Sequence, residues 1–392
     1  MSHFPNWKDQ AVACIHTLEN AGFEAWMVGG AVRDFLLGRP YTDIDIATNA
    51  LPAQVCQLFD RVIETGIQHG TVTVILDHLP IEVTTFRIDG PYLDARHPVS
   101  VTLTTHIEED LARRDFTINA MALHPMRGLL DLFGGQDDLH KKRIRAVGDP
   151  AKRFEEDALR IMRAFRFAAQ LEFSLDEATQ RAALEQCSSL EKLSSERINK
   201  ELSLSLMSSH PSQIAPLILR GGLAPLGLPV PQRSLRVLDD IPENLALRLC
   251  ILCMICEGKV ARCCEQLKYS NEIRRLALAM EQELTSEIPK SKIEIKRRFI
   301  SLTPEQYLLC LDARERYYGC QVQKQKEWVS EIVDKNEAWN IAMLAINGED
   351  LKTLGFHGPA IGQALQKLLE YVLHNPSANT HSILLEQAQK MI

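Results

Sequence analysis

Two aspartates separated by one residue, Asp43 and Asp45, are the residues of this sequence best suited to chemistry. They lie in a short β-type run, and side chains at positions i and i+2 of a strand project from the same face. Two close carboxylates repel each other unless cations neutralise them. Their hard oxygen ligands suit Mg²⁺, and two such ions about 3.5–4 Å apart would activate an attacking hydroxyl and stabilise a leaving pyrophosphate. Asp43 and Asp45 are therefore predicted to be catalytic metal ligands.

The residues on either side indicate that the metal serves a phosphate group. Gly29 and Gly30 end a β-type run and begin a helix, so that backbone N–H groups can approach an anion closely. Arg33, one turn into that helix, can hold the same anion with its guanidinium group. Glu82 lies in a later β-type run, Ile81–Phe86, whose other residues are typical of a buried strand. We predict that Glu82 is a third catalytic carboxylate.

The elements that must position these residues change in character along the chain. The first part alternates short helical stretches and turns with β-type runs at Ala25–Val28, Ile44–Ala47, Thr71–Leu76 and Ile81–Phe86. From about Pro150, apolar residues recur at three- and four-residue spacing and the β-type runs disappear. The pattern predicts an α+β head (1–148) followed by an all-α neck (149–210), body (211–288) and tail (289–392).

The segment 149–171 is predicted to be one long helix. Asp157, Arg160, Arg163 and Arg166 recur there every three residues and form a slanted stripe on its surface. Such a stripe is commonly a solvated face, but the acid that leads it and the neighbouring phosphate turn favour nucleotide binding. An aspartate accepts from the amino group of cytosine or adenine while an arginine donates to the ring nitrogen, and uracil and guanine present the reverse order. Asp157 and Arg160 are predicted to select the base.

Three motifs carry a resemblance to a known family. The pattern GGxVRDxLLGRxxxDxDxxT at 29–48 resembles the signature of the class II tRNA nucleotidyltransferases and bacterial poly(A) polymerases, within the polymerase-beta-like superfamily. The family's second and third motifs correspond to RRDFTINA at 113–120 and EDALR at 156–160. The segment LAINGEDL, from Leu344, is similar to a C-terminal segment of the Firmicutes-type CCA-adding enzymes.

The resemblance implies a polymerase-beta-like head that uses CTP and ATP to add and repair the 3′-terminal CCA of tRNA. It also implies that Arg114, Arg163 and Arg166 are further nucleotide contacts. The loop Arg87–Val99 lies where full CCA-adding enzymes have a flexible loop, which favours complete CCA addition. The helical body and tail are expected to hold the acceptor arm of tRNA, and the candidate basic strip of the tail comprises Lys290, Lys292, Lys296, Arg297 and Arg298.

Composition limits the other classes of function. The net charge of −7 argues against a protein that coats nucleic acid nonspecifically. The sequence has no apolar run of 18 residues and no signal-peptide pattern, so we expect a cytoplasmic protein with no membrane partner. Five of the ten cysteines lie between Cys250 and Cys264, where buried free thiols are favoured over a structural zinc site. The oligomeric state is open, with a homodimer among the alternatives.

Several related functions stay open from the sequence. A poly(A) polymerase typically carries a longer basic C-terminal region, which is absent from this sequence. An enzyme that adds only CC or only A is a second alternative. A non-catalytic tRNA-binding relative would be marked by the loss of a catalytic carboxylate, whereas all the expected ones are present. An HD-type phosphohydrolase is disfavoured because the sequence contains no His-Asp dipeptide.

Overall fold

The computed structural model describes residues 8–41, 43–67, 70–90 and 101–391. The chain divides into two compact units, Met1–Pro231 and Gln232–Ile392. Among the described residues, the β-strands belong to the first unit, and the regular elements of the second unit are helices. The predicted α+β head is confirmed, and the remainder is mostly helical, as expected. The finer division into head, neck, body and tail stays a prediction.

A seven-stranded mixed sheet forms the centre of the first unit. Its strands are β1 (Ala25–Val28), β2 (Ile44–Thr48), β3 (Val62–Gly66), β4 (Thr71–Leu76), β5 (Leu79–Thr85), β8 (Met121–His124) and β9 (Gly128–Asp131). Their order across the sheet is β3-β4-β5-β2-β1-β8-β9. Two small pairs are β6 (Arg87–Asp89) with β7 (Val101–Leu103), and β10 (Arg143–Ile144) with β11 (Ser174–Leu175). All four β-type runs found in the sequence are strands of the large sheet.

Strand β2 lies in the middle of this sheet and carries the predicted metal ligand Asp45. It is antiparallel to β1, where Asp45 is paired with Val28, and parallel to β5, where Asp45 is paired with Glu82. The neighbouring residues Ile44 and Ile46 point to the opposite face, where they are buried in the main hydrophobic core. Asp45 is the only residue of β2 that is not fully buried, so the strand presents it to a cavity beside the sheet.

The helices of the first unit surround the sheet and continue beyond it. They are α1 (Asp9–Asn20), α2 (Gly30–Leu36), α3 (Pro52–Leu58), α4 (Ile107–Ala112), α5 (Gly135–His140), α6 (Pro150–Glu156), α7 (Leu159–Leu171), α8 (Glu177–Glu185), α9 (Ser195–Leu206) and α10 (Ala215–Leu219). A short 3₁₀ helix, Thr117–Asn119, follows the RRD motif.

The prediction of one long helix over 149–171 is wrong, because the segment is broken between α6 and α7. Asp157 has extended backbone angles, φ −139° and ψ 106°. Its carboxylate accepts a hydrogen bond at 3.0 Å from the backbone N–H of Leu159, in the first turn of α7. An aspartate that binds a nearby backbone N–H in this way competes with helix continuation and starts a new helix. The loss of β-structure after Pro150 is also incomplete, since β11 pairs with β10.

The second unit is built from α11 (Leu245–Ile255), α12 (Val260–Gln266), α13 (Asn271–Thr285), α14 (Lys292–Arg298), α15 (Pro304–Tyr318), α16 (Gln323–Asp334), α17 (Gly348–Thr353), α18 (Pro359–His374) and α19 (His381–Gln389). Helix α11 is apolar on almost every side and is buried along most of its length. In the described parts of both units, no helix is long and apolar enough to cross a membrane.

The cysteine cluster lies in the interior of this second unit. Its thiols, on and next to α11 and α12, are free and buried, which confirms the expectation from the sequence. Burial raises the pKa of Cys256 and of Cys264 to about 12, so these thiols stay protonated at neutral pH. Elsewhere in the chain, Cys56 and Cys320 are only partly buried.

The predicted basic strip of the tail is largely neutralised within its own unit. Its five cations pair as Lys290 with Glu287, Lys292 with Glu331, Lys296 with Glu337, Arg297 with Glu370 and Arg298 with Glu283. Cations that already have acidic partners offer less net charge to a phosphate backbone. A role of this strip in holding tRNA stays a prediction.

The pair of Lys296 with Glu337 allows a test of stability. Lys296 is 1% exposed, and its Nζ lies 2.6 Å from the carboxylate of Glu337. We expect Glu337→Gln to lower the free energy of unfolding by about 3 kcal/mol, because it leaves the buried ammonium without its counterion. Urea unfolding followed by circular dichroism measures the change. Lys335→Gln, which removes an exposed pair with Glu331, should leave the midpoint almost unchanged; equal effects would contradict the prediction.

Candidate active site

The two aspartates predicted to bind metal lie at the start of β2, where both line a cavity of about 470 Å³. Asp43 is exposed and Asp45 is half-buried. Burial raises the pKa of Asp45 to about 6; the positive charge of Arg114 opposes this rise, whereas the carboxylates of Glu82 and Asp43 add to it. The protein alone therefore stabilises the charge of Asp45 poorly. A divalent cation beside the two aspartates would supply the missing stabilisation.

The turn between β1 and α2 brings backbone close to these groups. Gly29 has a φ of 72°, in the region that favours glycine. A Cβ atom at this position would lie 3.1 Å from Nη1 of Arg114 and 3.2 Å from Oδ2 of Asp45. A side chain at residue 29 would therefore strain the turn and push into the charged groups of the cavity.

The donor atoms fit a hard divalent cation such as Mg²⁺. That ion is commonly held by one or two carboxylates together with substrate phosphates and water, so Asp43 and Asp45 are a sufficient protein contribution. Within the described residues, no group of three or more His, Cys, Asp or Glu side chains is arranged to hold a metal. Glu82 is paired with Asp45 in the sheet register, but it is exposed and does not line the cavity. Its catalytic role stays a prediction.

Gly30 and Arg33, the predicted phosphate contacts, line the same cavity. Arg33 donates through Nε and Nη2 to the carboxylate of Asp34 at 3.0 and 2.8 Å. Its Nη1 donates to Oδ1 of Asn119 at 2.9 Å, and its guanidinium lies 5.1 Å from the centre of the Phe167 ring. These contacts hold a positive charge in a fixed direction at the wall of the cavity.

The RRD motif supplies a second group of cations, anchored by a buried acid. Asp110 accepts from Nη2 of Arg113 at 2.7 Å and from Nη2 of Arg114 at 3.0 Å. Burial alone would raise the pKa of Asp110, but Arg114 and Arg113 outweigh it and lower the pKa. Both arginines line the cavity, as the resemblance implied for Arg114. A direct contact of Arg114 with nucleotide stays a prediction.

The predicted base-selecting pair, Asp157 and Arg160, also faces this cavity. One carboxylate oxygen of Asp157 accepts from the backbone N–H of Leu159 at the start of α7. The other accepts from Nη2 of Arg197 on α9 at 3.0 Å. Nη1 of Arg160 donates to Glu156 at 2.6 Å, and Nη2 donates to the backbone carbonyl of Arg113 at 3.0 Å. Both side chains are thus held in place by the protein before any nucleotide binds.

The two later arginines of the stripe have different surroundings. Arg163 lines the cavity and donates through Nε and Nη2 to Oδ2 of Asp115, each at 2.7 Å. Arg166 does not line the cavity; it is paired with the buried Glu201 and lies 3.8 Å from the centre of the Phe167 ring. The structure therefore places Arg163 in the wall of the cavity and Arg166 outside it. A nucleotide contact of Arg166 stays a prediction that rests on the resemblance alone.

The charged groups of the cavity balance each other in number. The positive side chains are Arg33, Arg113, Arg114, Arg160 and Arg163, and the negative ones are Asp34, Asp43, Asp45, Asp115 and Asp157. Fixed guanidinium groups suit phosphate oxygens, whereas the aspartates at the start of β2 suit a cation. A cavity that holds both kinds of group is suited to a metal-bound nucleoside triphosphate.

Several lining residues were not predicted as site residues from the sequence, among them Asp115, Asn119 and Phe167. Asp115 and Asn119 belong to the RRD motif, but nothing in the sequence showed that they would meet Arg33 and Arg163. Phe167 is one turn after Arg163, a spacing at which an arginine and an aromatic ring meet on a helix. This spacing is the sequence signal that places Phe167 beside Arg163.

The ion pair of Asp115 with Arg163 allows a test through acid stability. Burial alone would raise the pKa of Asp115, but Arg163 and Asn119 outweigh it and lower the pKa to about 2. The pair should therefore contribute about 2 kcal/mol above pH 4, and this contribution should be lost as the pH falls from about 4 through 2. We expect the difference in urea unfolding free energy between the wild type and Asp115→Asn to shrink between pH 5 and pH 3. A constant difference would contradict the pKa assignment.

Comparisons with known proteins agree with this geometry. Residues 25–145 match the family described as "Poly A polymerase head domain", and residues 172–230 match "Probable RNA and SrmB- binding site of polymerase A". The first match covers strand β2, which carries Asp45, and the RRD motif after α4, and the second begins immediately after α7.

Curated relatives and a solved structure extend the likeness over nearly the whole chain. The CCA-adding enzyme of Geobacillus sp. (strain WCH70) is 37% identical over 383 residues, which cover 94% of each chain. The CCA-adding enzyme of Latilactobacillus sakei subsp. sakei (strain 23K) is 37% identical over 404 residues, 97% of each chain. The crystal structure of the Bacillus stearothermophilus CCA-adding enzyme in complex with CTP covers 98% of each chain, with a TM-score of 0.81 and 31% identity. With this identity over almost its full length, the chain belongs to the CCA-adding enzymes.

Proposed function

We propose that this chain adds and repairs the 3′-terminal CCA of tRNA, using CTP and ATP and releasing pyrophosphate. One observation carries the proposal: the two aspartates at the start of β2, proposed to bind metal, and the proposed base-selecting pair of the neck line the same cavity. A nucleotide bound there would present its phosphates to Asp43 and Asp45 and its base to Asp157 and Arg160. The solved relative that contains CTP supports the cytidine part of this proposal.

Nucleotidyl transfer at this site depends on positioning and charge neutralisation. Mg²⁺ bound to Asp43 and Asp45 would lower the pKa of the attacking 3′-hydroxyl and neutralise charge on the phosphates. Gly30 leaves room for the phosphates beside the backbone, and Arg33 directs its guanidinium toward them. The described residues that line the cavity include no histidine, so the proposal assigns no general base to the protein.

Base selection follows from the hydrogen-bonding groups of Asp157 and Arg160. The Asp157 carboxylate retains lone pairs beyond its contacts with Leu159 and Arg197, and can accept from the amino group of cytosine or adenine. Arg160 donates to the adjacent ring nitrogen. Uracil and guanine would place a carbonyl against the carboxylate and an N–H against the guanidinium, leaving buried groups mispaired. The protein selects the base without a nucleic-acid template.

The acceptor and the number of added nucleotides are further parts of the proposal. The helical second unit is proposed to hold the tRNA acceptor arm by its shape and phosphates. Complete CCA addition requires the site to change from CTP to ATP, and we assign this change to the loop Arg87–Val99. Residues 91–99 of that loop lie outside the described residues. Partial CC or A addition and poly(A) synthesis are the alternatives that an assay must separate.

The test uses purified protein with three tRNA substrates: one lacking the terminal CCA, one ending in CC, and one intact. Each nucleoside triphosphate is supplied singly and then together, and products are separated on a sequencing gel. We expect CTP to extend the first tRNA by two residues, ATP to extend the second by one, and no extension of the third. With CTP and ATP supplied together, the first tRNA should gain the complete CCA; products that stop after CC under that condition, or that continue into poly(A), would overturn the proposal in favour of another member of the family.

The metal is tested separately in the same assay. Activity should be lost with a chelator and restored by MgCl₂, because Asp43 and Asp45 offer only oxygen ligands. Restoration by Zn²⁺ but not by Mg²⁺ would contradict the assignment of the ion.

A further inference from the structure

Asn119 lies where the head and the neck helix meet at the cavity. It is 5% exposed and ends the short 3₁₀ helix that follows the RRD motif. Its side-chain Oδ1 accepts from Nη1 of Arg33 at 2.9 Å, and its Nδ2 donates to Oδ1 of Asp115 at 3.1 Å. Asp115 in turn accepts both donors of Arg163 through Oδ2. A continuous row of hydrogen bonds thus runs from the head arginine to the neck arginine.

The two ends of this row meet again on one aromatic ring. The guanidinium groups of Arg33 and Arg163 lie 5.1 and 5.2 Å from the centre of the Phe167 ring. The positive charges of Arg33 and Arg163 are therefore held near each other. Asp115 contacts Arg163 directly and is linked to Arg33 through Asn119. Asn119 therefore fixes the distance between a group proposed to bind phosphate and the helix proposed to read the base.

The chemistry of this position requires an amide. The neighbour on one side is a guanidinium, which only donates, and the neighbour on the other side is a carboxylate, which only accepts when ionised. An aspartate of the same shape would still accept from Arg33 but would place a second carboxylate against Asp115. An alanine would leave both partners without their buried hydrogen bond.

We propose that Asn119 is a positioning residue that couples phosphate binding by Arg33 to base selection by the neck helix. The inference rests on the proposed function, because it assigns the two ends of the row to the phosphates and base of one nucleotide. With the hydrogen bonds of Asn119 intact, Arg33 and the neck helix are held at a fixed distance. A nucleotide then binds well only when its phosphates and its base fit both groups at once. With the link broken, each end binds separately, and a base with the wrong hydrogen-bonding groups is tolerated more easily.

The test compares Asn119→Asp and Asn119→Ala with the wild type. Steady-state kcat and KM are measured for CTP and for UTP on tRNA lacking its CCA end. We expect the KM for CTP to rise about tenfold or more, as for loss of a buried hydrogen bond to a charged group, and the preference for CTP over UTP to fall about tenfold. Asn119→Asp should have the larger effect because it adds repulsion from Asp115.

A matched control is Asn49→Asp in the same unit. Oδ1 of Asn49 accepts from the backbone N–H of Glu24 at 2.8 Å, a contact that an aspartate retains, and the residue does not line the cavity. This variant should keep the wild-type preference for CTP. Melting temperatures are measured for every variant. Lower stability of the Asn119 variants with an unchanged preference for CTP would show a merely structural role and overturn the inference. A wild-type protein that adds no CTP would instead overturn the proposed function.

Discussion

Replacement of either aspartate at the start of β2 should abolish nucleotide addition. We expect Asp43→Asn and Asp45→Asn each to lower kcat for CTP incorporation at least about 10³-fold, a loss of about 4 kcal/mol in transition-state stabilisation. Asparagine has nearly the same shape but carries no charge, so it neither attracts a divalent cation strongly nor offsets its charge. Incorporation of labelled CTP into tRNA, measured over a range of MgCl₂ concentrations, gives the result.

The control for this experiment is Asp60→Asn, which changes an exposed aspartate after α3 in the same unit. It should have wild-type kcat and an unchanged melting temperature. The Asp45→Asn protein should remain folded, because burial raises the pKa of Asp45 and so disfavours the charge that the substitution removes. If either variant kept wild-type activity, the assignment of that aspartate as a metal ligand would be wrong.

Removal of the Asp157 carboxylate should relax the choice of base. We expect Asp157→Ala to reduce the ratio of kcat/KM for CTP to that for UTP by about 10²-fold, because one of the two base-reading groups is lost. The preference for ATP over GTP should fall in parallel, since adenine and cytosine present the same pattern. Competition between two labelled nucleotides in a single reaction measures both ratios.

Asp157 also begins helix α7, so its structural contribution needs a matched control. Asp149 begins α6 in a similar way, with its carboxylate accepting from the backbone N–H two residues later at 3.0 Å. Asp149 does not line the cavity. Loss of either side-chain hydrogen bond to the backbone should lower stability by about 1 kcal/mol. Asp149→Ala should keep the full preference for CTP, and unchanged selectivity in Asp157→Ala would rule out base reading by this residue.

The head was predictable from the sequence because its signals are local. The runs Ala25–Val28 and Thr71–Leu76 have the same ends in the structure, and alternation placed Asp45 opposite the buried isoleucines. The order of strands was not predictable, because parallel pairing of β2 with β5 depends on contacts between distant segments. The sequence therefore suggested Glu82 as an acid near Asp45, without showing that its side chain is exposed.

The neck shows where local reasoning failed. The helical spacing of apolar residues continues through 149–171. It does not reveal the two-residue break at Asp157 and Ala158, which the Asp157 side chain stabilises. The preference of aspartate for the beginning of a helix was the signal that could have revealed it. The bridge through Asn119 and the pairing of Arg166 with Glu201 were beyond sequence reasoning. The first requires the neck to fold against the head, and the second requires α9 to pack against α7 within the neck.

The distribution of the cysteines has a practical consequence for single-molecule work. Cys56 and Cys320 are the partly exposed cysteines among the ten, all of which lie in the described part of the chain. They belong to different compact units. Buried thiols such as Cys14, whose pKa is raised to about 12 by burial, should react far more slowly with maleimides. A donor and an acceptor fluorophore attached to the native Cys56 and Cys320 would report the separation of the two units during each nucleotide addition, without an engineered labelling site.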